Sequence, residues 1–119
     1  MKKRDFEKLI IAAAEELPES IREKIENVVF VLEEGEAPGG NLFGLYHGIP
    51  KTGRGQGYSF VLPDKIVFYK KTMERYAMNE DDLRRLIRLV VWHEIGHHLG
   101  FSEKEIRRLE NKWERDKKV

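Results

Sequence analysis

The chain has 119 residues, with 22 Lys and Arg against 21 Asp and Glu and a formal net charge of +1. That length supports one domain around one core and leaves no room for a second of comparable size. A 40% hydrophobic content at near-zero net charge excludes a disordered chain, the lack of a basic excess speaks against nucleic acid as a partner, and the absence of cysteine excludes disulfides, thiolate metal sites and cysteine nucleophiles.

Met1 to Asp5 is charged and leads into an amphipathic segment, not an apolar signal region. No apolar run approaches the roughly 20 residues a membrane span needs. A cytoplasmic protein with no membrane partner is expected, a monomer or weak oligomer. Residues 4–16 place Phe6, Leu9, Ile10 and Ala13 on one helical stripe. Pro18 ends that helix and suits the first turn of a short second one through Lys24. Val28 to Leu32 is β-branched, aromatic and short, which reads as a buried strand. Glu34 to Asn41 is a Gly-rich loop, and Leu42 to Tyr46 a short strand. Gly48 to Gly57 forms a second Gly-rich loop, and Tyr58 to Leu62 returns as extended chain. Lys65 to Lys70 alternates as a strand should, with Ile66 and Phe68 opposite Val67 and Tyr69.

A long helix follows. Asn79 is its N-cap, Glu80, Asp81 and Asp82 suit its positive end, and Leu83, Leu86, Ile87, Val90 and Val91 recur at helical spacing through His98. Gly100 suits the left-handed conformation that stops it. Ser102 caps a last helix, with Glu105 completing a capping box.

His93-Glu94-Ile95-Gly96-His97 lies near the end of the long helix. Residues four apart differ by about 40° around a helix axis, so both imidazoles face one point and together suit chelation of one zinc ion per chain. Glu94 sits beside that point without ligating, placed as general base for a metal-activated water. A catalytic zinc takes a third protein ligand. Gly100 lets the backbone turn back, and Glu103, at the first turn of the last helix, then points at the metal. Glu105, Glu110 and Glu114 compete for that place. Glu105 is accounted for by the capping box, while Glu110 and Glu114 match the arrangement in which the third ligand comes from deeper in a separate helix. If Glu103 is the ligand, both lie on the solvated part of the last helix, and replacing either leaves zinc affinity nearly unchanged.

The pattern His93-Glu94-x-x-His97-x-x-Gly100-x-x-Glu103 resembles the small bacterial zincin-like metallopeptidases, a minimal zincin family with Asp at its last position, where this chain has Glu. The blocks Leu42 to Pro50, Leu62 to Tyr69 and His93 to Gly100 fall where that family's blocks fall, over half the chain. The resemblance implies His93, His97 and Glu103 as zinc ligands and Glu94 as catalytic base. Metzincins carry a third His and a methionine turn after the motif; here Met1, Met73 and Met78 all precede it. The expected architecture is α+β: one minimal zincin-like domain over residues 1–119, a small sheet packed against the zinc helix, an N-terminal helix outside, and a last helix closing the site. The expected function is zinc-dependent hydrolysis of peptide bonds, by an endopeptidase rather than an exopeptidase, on a peptide or unfolded protein lying along a sheet edge. The alternative is a non-catalytic metal-binding interaction domain that retains the site.

Weaker candidates complete the set. His98 suits packing or support of the metal site, and His47 an exposed loop. Tyr46 and Tyr69 carry hydroxyls of the kind that stabilise an oxyanion. Arg54 rims the cleft in the second Gly-rich loop.

Overall fold

The computed structural model describes residues 1–48 and 62–117. The loop with Arg54, and Tyr58 to Val61 of the expected extended return, lie outside the described residues. Helix α1 (Lys3–Glu15) turns Phe6, Ile10 and Ala13 inward at helical spacing. Pro18 is the N-cap of the one-turn α2 (Glu19–Arg22), just ahead of the first-turn place expected for it.

Three strands follow among the described residues: β1 (Val28–Glu33), β2 (Gly44–His47) and β3 (Asp64–Tyr69). They form a mixed sheet in the order β1-β3-β2, with β1 parallel and β2 antiparallel to the central β3. The expected buried strand at Val28 to Leu32 therefore lies at an edge of the sheet formed by the described residues, and Val29 is 44% exposed. The buried position falls to β3, which has a neighbour on each edge and a cluster on each face. Ile66 and Phe68 join the main core, while Val67 and Tyr69 pack with Ala37 on the opposite side.

Helix α3 (Lys70–Tyr76) continues directly from β3, an element the sequence reading misses. It turns in Thr72 and Met73, and the Thr72 hydroxyl accepts from the Ala37 amide at 3.1 Å. Helix α4 (Glu80–His98) begins as expected, with Asn79 Oδ1 accepting from the Asp82 amide at 2.8 Å. Its face Leu83, Ile87, Val91 and Ile95 is the spine of the core. The N-terminal helix is less peripheral than expected, because α1 packs on α4 and the Trp92 indole N–H donates to the Ala13 carbonyl at 2.9 Å. No described helix is long and apolar enough to cross a membrane.

The end of α4 decides where the last helix goes. Gly100 has φ +87°, and the amides of Gly100 and Phe101 donate to the carbonyls of His97 and Gly96, both at 3.0 Å. This is the Schellman arrangement, which needs a residue free to enter the left-handed region. Ser102 and Glu105 then form the capping box, with reciprocal bonds of 3.0 and 3.1 Å, and α5 (Glu103–Lys117) starts. It crosses back over α4 at Gly96, where a Cβ atom would lie 2.7 Å from the Ile106 side chain.

Candidate metal centre

His93 and His97 project from the same side of α4, one turn apart, with ring centroids 4.8 Å from each other. Their Nε2 atoms are 3.2 Å apart. The reversal at Gly100 brings Glu103 over both rings, its Oε1 lying 2.9 Å from His97 Nε2 and 3.3 Å from His93 Nε2. The structure thus gathers the three expected residues, each offering a donor atom within 4.8 Å of the others. Two imidazole nitrogens and one carboxylate oxygen form a donor set of the kind that holds catalytic zinc. By this chemistry the residues fit the ion.

Glu110 and Glu114 depart from expectation. Neither is on a solvated face. Residues 103, 106, 110 and 114 share one side of α5, and the crossing at Gly96 lays that side on α4. Glu110 Oε1 meets His93 Nδ1 at 3.1 Å, and Glu114 pairs with Arg88 at 3.4 Å. Glu110 holds the imidazole from behind, fixing the proton on Nδ1 and leaving Nε2 toward Glu103. This bond raises the His93 pKa above the ordinary value against the opposing effect of burial, with the charges of Glu103 and Glu94 adding to it.

Glu94 points inward from the same turn and is 8% exposed. Burial pushes its carboxyl above the usual range, while the two imidazoles and the Tyr46 backbone amide, which donates to it, pull the other way. Its stem rests on Gly44 of β2, where a Cβ atom would come within 3.2 Å of it. A Cβ atom there would also press on Val90 at 3.0 Å, so a side chain at that position would ask its neighbours to give way slightly.

The Tyr46 hydroxyl does not face the donors. It donates to Asp64 Oδ2 at 2.6 Å, and the same oxygen lies 2.8 Å from His98 Nδ1. Asp64 is 2% exposed and His98 fully buried, so this is an interior polar cluster that ties β2, β3 and the end of α4 together. Of the two roles expected of it, His98 has packing, against Asp64 and the Tyr46 ring. Tyr69 packs in the cluster on the far face of the sheet, and His47 is exposed at the end of β2. Replacing Asp64 with alanine removes the carboxylate that Tyr46 and the fully buried His98 share, and a loss of roughly 3 kcal/mol in unfolding free energy is expected by urea titration. A loss under about 0.5 kcal/mol would show that the cluster does not hold the three elements together.

Among solved structures, a conserved hypothetical protein from T. thermophilus matches 93% of this chain and 99% of its own, with 22% identity and a TM-score of 0.58, a likeness of fold. No curated protein matches the chain. The family model for zincin-like metallopeptidases matches residues 23–113, from ahead of β1 to deep in α5. The chain belongs to the zincin-like metallopeptidase family.

Proposed function

We propose that the chain is a zinc-dependent endopeptidase in which His93, His97 and Glu103 hold one zinc ion and Glu94 is the general base. The observation that carries this reading is the convergence of the three donor atoms on one side of α4 with a buried, non-converging carboxylate in the intervening turn. A site with a purely structural role has no use for such a carboxylate. Zinc, when bound, supplies a Lewis acid that polarises a carbonyl and acidifies water. Glu94 takes a proton from the attacking water on its carboxylate and passes it to the departing amine nitrogen. Glu110 keeps His93 in the tautomer that presents Nε2. β2 is an edge strand of the described sheet, and an extended peptide or unfolded protein segment pairs along it.

Purified protein is expected to carry about one zinc per chain by elemental analysis, and His93→Ala or His97→Ala to lose it. Full occupancy in the doubly substituted chain would place the metal elsewhere. Wild-type protein that holds zinc yet cleaves no member of a peptide library would favour a metal-binding interaction domain instead.

A further inference from the structure

A cleft of about 360 Å³ opens beside the metal centre, between the segment leading into β2 and the outer side of α4. Its apolar wall is made by Leu42 and Phe43 on one side and by Leu86, Leu89 and Val90 on the other. His93 and Glu94 belong to the same lining, so whatever fills the cleft lies against the reacting centre. The volume is at the small end for ligand clefts, which suits a single side chain rather than a folded partner. The wall is set in advance, since the Phe43 ring stands edge-on to Tyr76 at 5.0 Å and 84°.

The charges of the lining also narrow the choice of occupant. Glu94 and Glu110 repel an acidic group, and Glu110 is already engaged with His93. The two carboxylates would attract a cation, but Glu110 is held by His93 and Glu94 is buried, so apart from Asn41 a cation would meet the apolar wall.

We propose that this cleft receives a bulky apolar side chain, leucine- or phenylalanine-like, from the residue flanking the scissile bond of an extended peptide. The inference rests on the reading of the site as a peptidase centre, and the test separates the two. Zinc-loaded Glu94→Gln protein is titrated, by fluorescence anisotropy, with labelled Gly/Ser peptides carrying one variable residue: Phe, Leu, Ala or Asp. Only that residue can fill the cleft, whatever the register.

The Phe and Leu peptides are expected to bind at least about 10-fold more tightly than the Ala peptide, and the Asp peptide no better than Ala. Leu89→Asp, added to this protein, is expected to erase the preference. Leu42 is 41% exposed, so Leu42→Asp provides the same test should the helix variant not fold. Equal affinity for all four peptides, or a preference that survives the folded cleft variants, overturns the proposal. Selective binding by a chain whose wild type hydrolyses nothing supports the cleft and removes the hydrolytic reading. Hydrolysis with no side-chain preference does the reverse.

Discussion

Glu94→Gln is expected to lower peptide hydrolysis about 10²–10⁴-fold while leaving zinc content unchanged. The amide is nearly isosteric with the carboxylate and keeps an oxygen to accept from the Tyr46 backbone amide, so the packing over Gly44 survives. Stability gives a second readout. Burial holds the Glu94 pKa above its unfolded value, so folding binds the proton and stability contributed by this group is lost as pH rises through the raised pKa. Glutamine never ionises. The metal-free variant is therefore expected to melt at least as high as metal-free wild type at neutral pH, measured by circular dichroism. Undiminished hydrolysis by the zinc-loaded variant would assign the activity to another base or to a contaminant.

Glu103→Ala is expected to weaken zinc binding more than any other carboxylate change, as measured by titration against a competing chelator. Two imidazoles alone leave the ion under-coordinated. Glu103→Asp should retain much of the affinity. Glu110→Ala follows with a loss of about 10–100-fold, the usual cost of removing a group that orients a metal-binding histidine. Glu114→Ala, which breaks only the pair with Arg88, should leave affinity nearly unchanged. Wild-type binding by Glu103→Ala would refute the ligand assignment. The acid limit of binding carries the same logic. His93 must be neutral to ligate, and Glu110 raises its pKa, so protons compete for it from a higher pH than for an ordinary histidine. Glu110→Gln should move that limit to lower pH even while it weakens binding at neutral pH. In the metal-free chain the His93–Glu110 contact adds stability at low pH, lost as pH rises through the raised pKa of His93.

Local chemistry made α4 and its site readable from sequence. Asn79, the apolar spacing, Gly100 and the Ser102–Glu105 box each act within a turn or two, and each does in the structure what its residue type predicts. The same local geometry carries Glu103 to the two histidines. Contacts across the fold are less visible. Val28 to Leu32 and Ile66 to Tyr69 are similar apolar runs, and only the pairing order makes β3 the centre. The inward residues of α3 are adjacent, too few to show a helical period. Glu110 reaches His93 only because Gly96 admits Ile106, a fact of the helix crossing. The Tyr46–Asp64–His98 cluster spans separations of 18 and 34 residues. Its trace in the sequence is Asp64, a carboxylate at the head of an apolar strand.

The compactness of the donor set along the chain bears on how much a bound ion can add to stability. His93, His97 and Glu103 fall within a single eleven-residue stretch. Bridging so short a stretch removes little chain entropy from the unfolded state, unlike a cross-link between distant elements. The two histidines also stay close when the chain is unfolded, so part of the affinity for the ion survives there. Stabilisation then follows only the difference in affinity between the folded and unfolded chains. Losing zinc should therefore leave the fold standing, because none of the three donors belongs to the core built on α1, α4 and β3.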